Sequence, residues 1–289
     1  MAALLLDNGA AWAAAETFNS ALPVAPGEFV YRQQFLFAHK CGDPTPANRD
    51  IEVLGGGSVL GYGVTPDFTL FAILPYQDKR LNMGSGGSRI GRRTQGIGDA
   101  TVLGRYTAFI DNAPGRTFRV SPFVGLKMPT GSDDTSDSFG RLPRDLQRGS
   151  GSWDPIAGVV ATWQTLDYEI DAQAQYKANT TADNFSFGDE VRLDGSFQYR
   201  LWPRALTSSV PGFLYGVVEA NLIHQNKNRA GGVANPNSGG TTLFVDPGIQ
   251  YVAKRGVLEA IVQLPAVQNL DGTAVHSDYS VLFGFRVNF

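Results

Sequence analysis

The chain has 289 residues, enough for two ordinary soluble domains or one large β-barrel, and its 18% charged residues fall below the roughly 25% of a typical soluble domain. With 43% apolar residues and 34 glycines there is ample material for a folded β-rich protein, so intrinsic disorder is excluded; a net charge of -3 and a pI near 5.6 supply no basic field and exclude nucleic acid as a partner. The single cysteine, Cys41, can form neither an intramolecular disulfide nor a cysteine-based zinc cluster, and no apolar run approaches the ~18 residues of a transmembrane helix.

Residues 1–27 form an Ala-rich N-terminal segment. No Lys or Arg precedes Arg32, and Asp7 follows the only Leu cluster, so this is not an intact signal peptide. Ala13 to Ala15 resemble a cleavage-site remnant, and the segment is read as the start of a mature chain. From Glu28 to Phe289 the hydrophobic period is 2 rather than 3.6. In Tyr168 to Ala178, for example, Glu169, Asp171, Gln173, Gln175 and Lys177 alternate with Tyr168, Ile170, Ala172, Ala174 and Tyr176. Read this way, the chain predicts twelve strands: 28–39, 50–64, 68–79, 97–110, 117–129, 152–165, 168–178, 188–201, 213–225, 241–253, 257–266 and 276–289.

The connections alternate in length. Those at 40–49, 80–96, 130–151, 179–187, 226–240 and 267–275 are long; those at 65–67, 111–116, 166–167 and 254–256 are short, with 202–212 the misfit. Long loops on one side and short turns on the other, with both termini on the short-turn side, is the layout of an outer-membrane β-barrel over 28–289. A soluble sandwich or lipocalin-like barrel also alternates, but it turns its apolar face inward. Twelve strands with one strongly charged face suit a wet lumen and a lipid-facing exterior. Trp153 and Trp163 lie ten residues apart on one apolar face, which at ~3.3 Å per residue and a tilt near 40° spans roughly 25 Å, the height of an apolar band between aromatic girdles. Prolines at 75, 122, 155, 247 and 265 must sit at bulges or strand ends, because a closed barrel has no edge on which to hide a missing donor.

The inward face carries Arg32, Asp99, Arg105, Arg119, Lys127, Asp171, Arg192, Asp194, Arg200, Glu219, Asp246, Glu259 and Arg286, beside Asp154, Glu169 and Asp278. Opposite charges are interleaved, so pairing across strands is expected, leaving a constricted pathway rather than a wide ion pore; the alternative is a structural barrel whose lumen these pairs merely fill and hold. Phe71, Phe123, Tyr215, Phe244 and Ile261 also fall on inward positions, giving the lumen apolar patches that suit a hydrophobic solute better than a sugar or an ion. The N-terminal segment carries Trp12 and Phe18, and folding it into the lumen as a plug would give both somewhere to bury.

Three stretches carry a family resemblance: Gly96-Ile97-Gly98-Asp99 leading into Ala100 to Phe109; Pro122 to Ser132 with its Lys127-Met128-Pro129-Thr130-Gly131-Ser132 run; and Gly149 to Asp154. They resemble the outer-membrane channel family of transporters of the phenol meta-degradation pathway. The terminal Phe289 resembles the assembly signal of bacterial outer-membrane proteins. The resemblance implies a monomeric channel in the Gram-negative outer membrane, surrounded by lipid and lipopolysaccharide, passing small aromatic or other hydrophobic compounds. It supplies no catalytic residues and no cofactor.

Two other chemistries compete. An outer-membrane lipid hydrolase needs a hydroxyl within reach of an imidazole, but alternation points Ser277 away from His276, and the His-x-Ser pattern of the barrel phospholipases is absent. A rim metal site from His39, Cys41 and His276 is conceivable, with solvated rim histidines the simpler reading. Gly96-Ile97-Gly98 lacks the following helix of a nucleotide loop. Lys79, Arg80, Arg89, Arg92 and Arg93 cluster at the outer rim, where lipopolysaccharide phosphates would meet them. Asp133, Asp134 and Asp137 beside Arg141, Arg144 and Arg148 could bind calcium or fold the 130–151 loop by ion pairing, with a solvated loop the simpler reading.

Overall fold

The computed structural model describes residues 13–85, 87–205 and 210–289. Twelve antiparallel staves close into a barrel: β1 (Phe29–Lys40), β2 (Asp50–Gly63), β3 (Phe68–Ser85), β4 in three pieces (Ser88–Ile97, Thr101–Tyr106 and Phe109–Ala113), β5 (Arg116–Lys127), β6 (Asp154–Thr165), β7 (Tyr168–Lys177), β8 (Glu190–Trp202), β9 (Gly212–Gln225), β10 (Gly240–Ala253), β11 (Gly256–Leu270) and β12 (Tyr279–Asn288). The ring shuts where β12 returns to β1, in a continuous register from Val30↔Asn288 to His39↔Tyr279.

Alternation sets the two faces. Thr162, Asp171, Gln198, Glu219, Asn221, Asp246 and Gln250 are almost wholly buried inside, whereas Leu54, Leu74, Val124, Ile170, Leu193, Val218, Leu258 and Phe283 stand exposed outside. This is the inverse of a soluble fold, and it leaves an apolar belt that only lipid can cover.

The prolines mark where the ladder breaks. At Pro75, β3 changes partner: below it Ile73 pairs Thr101, above it Tyr76 pairs Ile97. Pro122 faces the interruption in β4, between Arg105↔Phe123 and Phe109↔Val120. Pro155 is the second residue of β6, and Pro247 and Pro265 flank an irregular stretch of the β10–β11 pairing. Each missing donor thus falls at an irregularity or an end, as proline chemistry requires.

The main departure from the sequence expectation is at 80–96. β3 does not stop near residue 79 but continues to Ser85, pairs Ser88 and returns as the first piece of β4. A hairpin therefore replaces the long loop and rises beyond the barrel on the long-loop side. The 130–151 connection departs too: it holds a short ladder, Ser136–Asp137 with Gly140–Arg141, and a 3₁₀ turn, Arg144–Leu146. Leu142 and Leu146 bury against Leu81, with Ile51 and Met83 around them, so the loop has a small core instead of being solvated throughout.

Candidate functional site in the barrel interior

Residues 13–26 run inside the ring, against inward-facing side chains of opposite walls. Near Ala14 the segment meets β10, where Gln250 accepts from Ala14 N–H (3.2 Å) and donates to Ala14 O (3.0 Å). Glu219 of β9 accepts from Glu16 N–H (2.6 Å), Thr17 N–H (3.0 Å) and the Thr17 hydroxyl. From β1, Arg32 donates to Glu16 O (2.7 Å) and Ala15 O (3.3 Å), and Gln34 donates to Glu16 O (2.7 Å). The segment then crosses to the other side, where Ala21 N–H donates to the Thr162 hydroxyl of β6 (2.8 Å) and Arg105 of β4 donates to Ser20 O and Leu22 O. It leaves beside Gly63: a Cβ there would lie 2.1 Å from Ala25 O and 2.6 Å from Val24 O, so glycine is what admits the chain at this point.

Apolar contacts complete the docking. Ala21 is fully buried among Phe71, Leu103, Phe123 and Val160, and Ala13 packs with Val252 and Val257 beside Tyr215. Gly158 makes room for the Phe123 ring, whose nearest atom would lie 2.4 Å from an added Cβ. Phe18 is buried; Trp12 lies outside the described residues. Between the segment and the short-turn end of the wall is a cavity of about 650 Å³, lined by Phe18, Leu22, Phe71, Ile73 and Leu103 on its apolar side and by Arg105, Arg119 and Arg286 on its polar side.

The remaining inward charges form local networks. Arg32 meets Glu259 at 2.7 Å. Lys127 bridges Asp99 (2.8 Å) and Asp154 (2.6 Å) at the long-loop end of the pathway. Arg192 lies 3.1 Å from Asp194, which accepts from Gln173 at 2.9 Å. Asp171 accepts from the Thr162 hydroxyl and from Gln198, and Asp246 accepts from Gln263 (3.1 Å). Arg200 reaches down to Asp167 in a short turn (2.5 Å) and lies over the Phe213 ring. Arg119 differs in having a hydroxyl, Thr117, as its hydrogen-bond partner (3.3 Å). Of the five inward apolar residues, Phe71 lines the cavity, Phe123 and Ile261 are buried in side-chain packing, and Tyr215 and Phe244 are half-buried. Trp153 and Trp163 stand exposed at opposite ends of β6, on the outer face.

Sequence reasoning singled out charges and passed over the uncharged anchors Thr162, Gln250 and Gln34, as well as Thr69, whose hydroxyl accepts from Val24 N–H (3.3 Å). Their signal was available, since each sits at an inward position of a strand. The rim cations are tied to neighbouring groups: Arg92 to Asp137 (2.7 Å), Arg93 to Asp78 (2.6 Å) and Lys79 to the carbonyls of Asp145 and Gln147. His276 turns its Nδ1 to Gly42 O (3.0 Å), and the Ser277 backbone is clasped on both sides by Gln268. Asp278 leaves the inward row and meets His39.

A family described as the putative MetA-pathway of phenol degradation matches residues 46–265, about three quarters of the chain. The chain belongs to this family. No curated protein matches the sequence. Among solved structures, an outer-membrane channel from Pseudomonas putida F1 superposes with a TM-score of 0.72 over 93% of this chain and 98% of its own, at 13% identity. The β domain of the Bordetella autotransporter BrkA reaches 0.49 over 91% of this chain and 100% of its own at 12% identity. Fold and family membership make this chain a twelve-stranded barrel of the bacterial outer membrane.

Proposed function

We propose that this member of the phenol-degradation family is a passive outer-membrane channel for small hydrophobic or aromatic molecules, working as a monomer in lipid, and that residues 13–26 narrow its pathway. The observation that carries the reading is the 650 Å³ cavity between the segment and the wall. Its size lies within the range of small-molecule sites, and an apolar surface with a few convergent cations would hold a compact ring while charge pairing elsewhere obstructs free ion flow. A lipid hydrolase is the weaker reading, because the His276 imidazole faces the Gly42 carbonyl rather than a hydroxyl.

Planar-bilayer recording tests it. Deleting residues 2–24 is expected to raise single-channel conductance while the barrel still assembles, and an unchanged current from a folded deletion variant refutes the role given to the segment. Flux of a small aromatic compound into liposomes should persist in His276→Ala, whereas Arg119→Ala or Arg192→Ala should alter conductance or ion selectivity. A lipase activity abolished by His276→Ala would overturn the channel reading.

A further inference from the structure

Three donor groups of different chemistry converge outside the pathway, at the long-loop end of the β12–β1 seam. His39 is near the end of β1, Cys41 follows it and Asp278 immediately precedes β12. One ligand atom of each, the imidazole nitrogen, the thiol sulfur and a carboxylate oxygen, lies within 4.8 Å of the other two. His39 Nδ1 and Asp278 Oδ2 are already 3.0 Å apart.

The backbone beneath is fixed. Asp278 N–H donates to His39 O (2.9 Å), and His276 N–H donates to Gly42 O (3.1 Å) in an antiparallel bridge just beyond Cys41. Hydrogen bonds therefore bracket Cys41 on both sides and hold it against Asp278. A further carboxylate stands close by: Asp50 Oδ1, at the start of β2, lies 3.3 Å from His39 Nε2 as an ion-pair contact, and this buried oxygen has no hydrogen-bond partner among the described residues. His39 Nδ1 and Asp278 Oδ2 share a proton at 3.0 Å; a cation would take that proton's place, leaving the Nδ1 lone pair on the side of Cys41 and Asp278 and the ring proton on Nε2, the side nearer Asp50. Carboxylates commonly set the tautomer and orientation of a metal-bound histidine in this way.

We infer that His39, Cys41 and Asp278 form a binding site for a borderline divalent cation of the Zn²⁺ class, with Asp50 orienting the imidazole. The donor set decides the class. A thiolate and an imidazole select Zn²⁺ or Co²⁺ over Mg²⁺ and Ca²⁺, which take oxygen ligands. Around a tetrahedral ion with ligands at about 2.0–2.3 Å, donors stand roughly 3.3–3.8 Å apart, so side-chain shifts of ~1 Å suffice. Three protein ligands leave a fourth position for water. The site would staple the loop after β1 to the loop before β12, at the seam where the barrel closes.

The test uses the tag-free full-length protein in detergent, with Co²⁺ as the spectroscopic probe. One Co²⁺ per chain should bind, with a thiolate-to-cobalt charge-transfer band that Zn²⁺ abolishes by displacement. The band should be absent in Cys41→Ser. Affinity should fall at least about tenfold in His39→Ala and in Asp278→Asn, and by about 10–100-fold in Asp50→Asn, which keeps the band. His276→Ala should bind like the parent. Zn²⁺, but not Mg²⁺, should slow alkylation of Cys41 by about tenfold or more. Heat-modifiable migration identifies the folded variants, and these substitutions lie at or just beyond the long-loop ends of β1, β2 and β12, away from the buried interior. A band that survives Cys41→Ser, loss of binding in His276→Ala, or Cys41 alkylation unaffected by Zn²⁺ overturns the assignment.

Discussion

Arg105→Leu isolates what holds the N-terminal segment against the β4–β6 wall. Arg105 is buried, donates to Ser20 O and Leu22 O, and lies 4.8 Å above the Phe71 ring. A hydrogen bond from a charged donor contributes about 1.5–3 kcal/mol net, and the neighbouring cavity lets water take over the freed carbonyls, so the lower end applies: about 3 kcal/mol for the pair. Glu219 and Gln250 remain in place, so the loss acts on local opening of the stretch around Ala21 and not on barrel assembly. The reporter is Ala21→Cys in a Cys41→Ser background, because Ala21 is fully buried and a polar maleimide reaches it only when the stretch lifts. At about 1.4 kcal/mol per decade, labelling should accelerate roughly 100-fold when Arg105→Leu is added. A change of less than about threefold, with the barrel folded, would mean that the apolar packing of Ala21 holds the segment without help from Arg105.

Cys41 is exposed beside the long-loop end and should react with a membrane-impermeant thiol reagent on intact cells; labelling that requires a broken outer membrane would invert the strand directions. In the loop after β1, Arg49 donates to both Asp43 oxygens while Thr45 and Arg49 N–H groups bond the same carboxylate, which holds Asp43 well below the usual carboxylate range. With the folded pKa depressed, the stabilisation is fully present above about pH 5, declines progressively as pH falls below the unfolded value of about 3.9, and is gone once pH drops through the folded value. Amide exchange at Thr45 and Arg49 should therefore be faster in Asp43→Asn than in the parent, by about 1–3 kcal/mol of local opening, at neutral pH and still at about pH 3. Equal protection in the two proteins at neutral pH would remove the carboxylate from this role.

Strands that separate lipid from lumen were legible because the separation writes itself into every second residue. Tyr168 to Lys177 shows it plainly, with Glu169, Asp171 and Gln173 buried and Ile170 and Tyr176 exposed. The hairpin at 80–97 escaped because Arg89, Gly91, Arg93 and Gln95 stand beyond the lipid belt, where water replaces the second solvent and alternation loses its cause. Side chains in loops obey backbone ties in place of alternation, which is why Asp278 and not His276 joins His39 and Cys41. Docking of 13–26 had a partial signal in the inward polar row, but Gln250, Thr162 and Thr69 act through backbone groups that composition cannot reveal.

A closed barrel has no sheet edge, yet this one acquires an edge above the membrane. Among the described residues, Ser88–Ile97 ladders only with β3, leaving the backbone groups on its far side available to any passing strand. In a membrane crowded with other barrels such an edge invites sheet extension between molecules. The arginines along it and the 130–148 loop blunt that tendency: Arg92 reaches Asp137, Gly140 O and Arg141 O, while Lys79 on the inner side ties down the 3₁₀ turn. The loop thereby acts as a guard against self-association as well as a cover for Leu81. Substitutions that loosen it would show themselves first in how many molecules cling together and only secondarily in what passes through each one.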